Sequence, residues 1–124
     1  MHLSILQINN LIAGNRLAAE LPASAPTLRR FVDVTGYLYD HRCVRRRLSG
    51  TISQDKRETA LFQVRDYEIA AVYIENGWDA AEDDCMHYRC IDEIPGISDL
   101  ERELVEHLSD FSLLVPEWQT DCPL

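Results

Sequence analysis

No run of this 124-residue chain approaches the roughly 20 consecutive apolar residues that a membrane-spanning helix needs. The glycines are scattered, so there is no phosphate-binding loop and no dinucleotide fingerprint, and Gly-x-Ser-x-Gly does not occur. The start lacks the Lys or Arg of a secretory leader. Although Ala23-Ser24-Ala25 has the small-x-small form of a cleavage site, Asn9, Asn10, Asn15, Arg16 and Glu20 interrupt the apolar segment before it. The segment therefore reads as part of the fold, and the chain is expected to be cytoplasmic. Basic residues are scarce in the second half: residues 66–124 hold two Lys/Arg against sixteen Asp/Glu, whereas residues 1–65 hold ten against five.

The hydrophobic content is 46% and the charged content 27%, which is enough apolar material for a single globular core over 1–124 and rules out wholesale disorder. Cys43, Cys85, Cys90 and Cys122 fit a reducing compartment as free, buried thiols.

The spacing of Leu3, Leu6, Asn10, Ala13 and Leu17 predicts a helix over 3–20 that Gly14 and Asn15 weaken and Pro22 ends. "TLRRFVDVTGYLY" at 27–39 alternates as a strand, Asp40-His41 turns the chain, and "CVRRRLSGTI" at 43–52 is a second strand. "SQDKRE" at 53–58 is a polar loop. "TALFQV" is a third strand, Arg65-Asp66 a turn, and "YEIAAVYIE" at 67–75 reads as a strand rather than a helix stopped by Gly77. "NGW" at 76–78 is a turn, 79–84 a loop or single helical turn, and "CMHYRCI" a further strand. Ser98 and Glu101 have the spacing of a capping box, and Leu100, Leu104, Leu108 and Phe111 form one stripe of a helix over 98–109. The expected fold is α+β: an antiparallel sheet of about four or five strands flanked by an N-terminal and a C-terminal helix, with a mostly α chain as the alternative.

Three candidate chemistries compete. "DAAEDDCMHYRC" at 79–90 sets Cys85, His87 and Cys90 close together, and zinc takes such ligands; a fourth would come from His41, Cys43, His107 or Cys122. A regular strand, however, puts Cys85 and His87 on one face and Cys90 on the other, and no second ligand pair is present. The expectation is therefore no metal, and no cofactor. Glu103-Leu-Val-Glu106-His107 lacks the first histidine of a metallopeptidase helix, so Glu103 and His107 read as a surface contact. A Cys–His dyad from His41/Cys43 or Cys85/His87 has no recognisable oxyanion loop, and a pocket lined by His41, Cys43 and His87 is what an enzymatic or ligand-binding reading would require.

Arg45, Arg46 and Arg47 beside Tyr37 and Tyr39 suggest nucleic acid, but an overall charge of −9 opposes phosphate binding, and pairing with the acidic half is the better expectation. These features point to a non-enzymatic protein-binding domain whose acidic surface meets a basic protein, without direct nucleic-acid or membrane contact. Its predicted docking residues are Trp78, Asp79, Glu82, Asp83, Asp84, Tyr88, Asp92 and Glu93, carboxylates steering and aromatics anchoring. The concrete form is an inhibitor of the immunity or antitoxin type, neutralising a toxin nuclease whose cleft must be basic. A zinc-stabilised interaction module and a small ligand-binding domain are the alternatives.

Overall fold

A computed structural model describes residues 1–48 and 59–124. The part of the predicted second strand beyond Leu48 and the predicted loop at 53–58 lie outside the described residues. The chain runs α1 (Ile5–Ile12), β1 (Leu17–Leu21), β2 (Leu28–Tyr39), β3 (Arg45–Arg47), β4 (Leu61–Ala70), α2 (Ala71–Glu75), β5 (Cys85–Pro95), α3 (Gly96–Leu104) and β6 (Val115–Pro116). The fold is α+β, with a six-stranded antiparallel sheet among the described residues in place of the expected four or five strands; the mostly α alternative does not hold. The order is β5-β4-β2-β1-β6, and β3 pairs with the far end of β2. Among the described residues no helix is long and apolar enough to cross a membrane.

The predicted helix over 3–20 is a helix followed by a strand. Ser4 caps α1: its hydroxyl accepts from the Gln7 N–H at 3.1 Å while the Gln7 side chain accepts from the Ser4 N–H at 2.9 Å. Gly14, at φ 96°, stops the helix rather than merely weakening it. The Asn15 N–H reaches back to the Asn10 carbonyl at 2.8 Å and the Gly14 N–H to Leu11 at 3.1 Å, the paired bonds that close a helix on a left-handed glycine. The chain is thereby free to enter β1, where Leu17, Ala18 and Ala19 are fully buried or nearly so.

The predicted turn at Arg65-Asp66 is absent, because β4 runs straight through it. Arg65 lies opposite Asp33 of β2, and Asp66 bonds Arg30, so each charge is answered across the sheet, one on either face. The predicted strand at 67–75 is in fact the end of β4 and then α2. Gly77, at φ 63°, closes α2 with the same bond pair: Trp78 N–H to Tyr73 at 2.8 Å and Gly77 N–H to Ile74 at 3.2 Å. The predicted capping box on the last helix also fails. α3 begins at Gly96, and Glu101 instead accepts the Leu3 N–H at 2.6 Å, pinning the N-terminal segment.

α1 and α3 cover one face of the sheet. Leu11, Ile12, Leu100 and Leu104 pack on Val32, Val34, Phe62 and Val64; α3 ends at Leu104 rather than at the predicted 109, and Leu108 and Phe111 reach the same core from beyond the helix. Gly36 sits where β2 passes beneath this layer. A Cβ there would lie 2.6 Å from Leu48 Cδ1 and 3.2 Å from the Phe62 ring. On the opposite face a smaller core of Phe31, Tyr67 and Ile69 is covered by Tyr73 and Ile74 of α2, by Tyr88, and by Cys122 and Leu124 of the C-terminal tail.

β5 carries two bulges. His87 and Tyr88 together oppose the single Tyr67, and Asp92 and Glu93 oppose Gln63. His87 (φ 52°) and Glu93 (φ 54°) take the left-handed conformation that side chains disfavour. His87 is exposed. His87→Gly is therefore expected to raise stability by about 0.5–1 kcal/mol, the relief of strain less the entropic cost of glycine. The urea midpoint measures this, and an unchanged or lower midpoint would show that the imidazole's contacts outweigh the backbone strain.

Candidate functional site

The bulge at 87–88 decides what "DAAEDDCMHYRC" becomes. By register Cys85 lies opposite Ile69 and Cys90 opposite Arg65, which places both on the face away from α1 and α3. His87, shifted by the extra residue, lines a cleft on the helix-covered face with Arg30, Glu68 and Arg89. The alternation expected from the sequence is thus inverted: the two cysteines share a face and the imidazole leaves it. Burial pushes the Cys85 thiol up to about 11, away from the thiolate form that a nucleophilic step uses. The thiols are free, and the expectation that all are buried is corrected, since Cys43 and Cys90 are exposed. His41 and Cys43 are exposed in the β2–β3 turn and are not among the residues of the His87 cleft.

Glu103 and His107 do meet, at 3.1 Å, but not on the surface. The His107 side chain is fully buried, and its Nδ1 lies 2.7 Å from Asp66. Asp66 also takes a two-pronged bond from Arg30, Nε to Oδ1 at 2.9 Å and a terminal nitrogen to Oδ2 at 2.7 Å. The hydrogen bond to Asp66, aided by Glu103, holds the imidazole above its ordinary value near 6.5. Burial opposes ionisation of Asp66, yet His107 and Arg30 together keep its carboxyl below the ordinary range. Sequence spacing finds the Glu103–His107 pair; Asp66, 41 residues earlier, has no sequence signal linking it to that pair.

The predicted docking residues divide into two groups. Glu82, Asp83 and Asp84 form one exposed turn of 3-10 helix ahead of β5. The Asp84 carboxylate accepts the Ala81 N–H at 2.8 Å and the Tyr73 hydroxyl at 3.2 Å, which ties this turn to α2. The glycine closure of α2 delivers Trp78 edge-on to Tyr73, ring centres 5.6 Å apart, with the indole residue 55% exposed. Tyr73, Trp78, Asp79 and Asp121 are among the residues around a cleft of about 410 Å³. Tyr88 instead turns its ring toward Tyr67, centres 6.3 Å apart, as part of the smaller core.

Asp92 and Glu93 sit at the other end of β5, about 20 Å along the strand by its rise per residue, and both are engaged. Asp92 accepts from the Tyr37 hydroxyl at 2.5 Å and from Arg45 at 2.9 Å, and Glu93 accepts from the Tyr39 hydroxyl at 3.1 Å. They do not extend the Trp78 surface.

Several arginines of the first half do find carboxylates of the second: Arg16 bonds Glu117, Arg29 bonds Asp121 and Arg45 bonds Asp92. Others pair locally, Arg46 with Asp40 and Arg65 with Asp33.

Comparison with protein-family models, curated proteins and solved structures finds no match.

Proposed function

We propose that this chain is an acidic protein-binding domain whose docking site is the Trp78 cleft and the adjoining Glu82–Asp84 turn. The observation that carries the reading is an exposed indole, fixed edge-on to Tyr73, with Asp79 and Asp121 beside it and exposed carboxylates on the next turn. An aromatic wall with carboxylates at its rim suits a lysine or arginine side chain, which gains both cation–π and ionic contact there. The preferred partner is a basic protein, and an immunity- or antitoxin-type inhibitor that occludes the phosphate cleft of a toxin nuclease is its concrete form. Acidic side chains set the association rate, and the indole sets the lifetime of the complex.

The test begins with affinity purification of the tagged chain at low and high salt and continues with kinetics on the recovered basic protein. Reversal of Asp83 to Lys is expected to slow association severalfold at low salt with folding unchanged, whereas Asp84 is left in place because its carboxylate ties the turn to α2. Trp78→Ala is expected to speed dissociation by a similar factor. Association that is indifferent to charge reversal, or a partner held equally at every salt concentration, would remove the acidic turn from the mechanism.

A further inference from the structure

A second pocket, of about 250 Å³, lies away from the Trp78 cleft and is lined by Arg16, Thr35, Tyr37, Arg45 and Arg47. Its position follows from strand pairing. Thr35 and Tyr37 are two residues apart on β2 and so share a face, and Arg47 and Arg45 of β3 lie opposite Tyr37 and Tyr39. Arg46, between them, turns to the other face and bonds Asp40. Arg16 arrives from the segment between α1 and β1.

Each guanidinium is held in place by a group of its own. Arg45 stacks on the Tyr37 ring at 3.5 Å and donates to Asp92. Arg16 bonds Glu117, and its carbonyl accepts the Glu117 N–H at 3.0 Å. Arg47 donates its Nε to the Gly14 carbonyl at 2.8 Å, at the left-handed residue that ends α1. A guanidinium carries more N–H donors than these anchors use, so each keeps donors for a ligand. Among the described residues, two of the three charges are offset by Asp92 and Glu117, and Arg47 is anchored by a neutral carbonyl. The pocket is therefore a locally positive, preorganised donor set in a chain of net charge −9.

We infer that this pocket binds the phosphate group of a small anionic ligand. Donors converging from three separate guanidiniums, with the Thr35 hydroxyl beside them, match a tetrahedral oxyanion that accepts on several oxygens. A planar carboxylate is satisfied by one arginine fork. The inference stands independently of the Trp78 cleft.

Calorimetric titration and thermal unfolding of the full chain with inorganic phosphate, pyrophosphate and glycerol 3-phosphate test it. Saturable binding is expected, with a raised Tm and an affinity that falls as sodium chloride is added. Arg47→Gln is expected to weaken binding about tenfold, the loss of one charge-assisted contact, and Thr35→Val to weaken it less. Arg102→Gln, a surface substitution on α3, is the control and should bind as the parent does. Tighter binding of glycerol 3-phosphate than of inorganic phosphate would mark the anion as part of a larger molecule, and the reverse order a free anion; either supports the site. Absence of saturable binding by all three anions, or equal binding by the parent and Arg47→Gln, overturns it.

Discussion

Arg65→Met is expected to cost about 3–5 kcal/mol of folding stability, the characteristic loss when a buried ion pair is deprived of one partner. Asp33 has no exposure, and the Arg65 side chain retains only 12% of its own. Arg65 Nε lies 2.9 and 3.1 Å from the two Asp33 oxygens, and a terminal nitrogen lies 2.8 Å from one of them. Burial already pushes the Asp33 carboxyl above its ordinary value, and Arg65 is the chief influence opposing this. Without the guanidinium, a charged or freshly protonated carboxyl is left inside the sheet between β2 and β4. The double variant Asp33→Val with Arg65→Met removes both charges and should recover most of the loss, since the penalty belongs to the stranded partner rather than to the missing attraction. Urea unfolding of the two single variants and the double variant measures this. A loss below about 1 kcal/mol for Arg65→Met would place the pair among weak surface contacts.

The second large effect is a dependence of stability on pH centred on His107. Its pKa is raised in the folded chain, chiefly by Asp66 and then by Glu103, so the imidazolium favours folding below the ordinary histidine value. That contribution is lost as pH rises through the higher folded value. Asp66 has the opposite sign: its carboxyl is depressed, so its contribution is present above the ordinary carboxylate range and is lost only as pH falls through the lower folded value. The network is therefore complete in mildly acidic solution, between these two limits, and weakens toward alkaline pH. His107→Gln is expected to cost about 1–3 kcal/mol near pH 6, because Asp66 and Glu103 lose a buried partner. It should also flatten the decline between about pH 6 and pH 8.5. Urea midpoints for both proteins at the two pH values decide the matter, and parallel curves would mean that His107 does not carry the alkaline loss.

The legible and the hidden parts of this fold are separated by one physical distinction, between local periodicity and distant pairing. The alternation of Val32, Val34 and Leu38 against Phe31, Asp33 and Tyr37 identifies β2, and Leu100 and Leu104 identify α3, because burial against a single surface leaves a period in the chain; Leu108 and Phe111 fit that period although the helix has already ended. Arg65-Asp66 misleads because a pair of adjacent charges resembles a turn until Asp33 and Arg30, both on β2, are brought alongside. Gly14 and Gly77 are ambiguous in a string of letters, and only the backward bonds from Asn15 and Trp78 show that each ends a helix. The docking residues are legible as a composition, but not as a place. The first bulge in β5 moves His87 away from Cys85, and the length of that strand sets Asp92 and Glu93 apart from the Glu82–Asp84 turn. No local residue preference announces those bulges, because histidine and glutamate occupy the left-handed positions where glycine is usual. The arginine pocket is visible in the sequence only as a basic run, since Arg16 joins it from a distant part of the chain.

The same bulges bear on how this protein behaves when it is crowded with copies of itself. A sheet of antiparallel strands has ends, and an open end with a flat row of unpaired amides recruits further strands into fibrils. At one end here, β6 is two residues long and includes Pro116, which has no amide hydrogen to offer. At the other, β5 is long enough to be recruited, but it is kinked at 87–88 and again at 92–93, so an incoming strand finds no continuous run of evenly spaced amides. The left-handed strain at His87 and Glu93 thus coincides with an edge that resists templated growth, and a strand straightened at those points would fold more comfortably and assemble more readily.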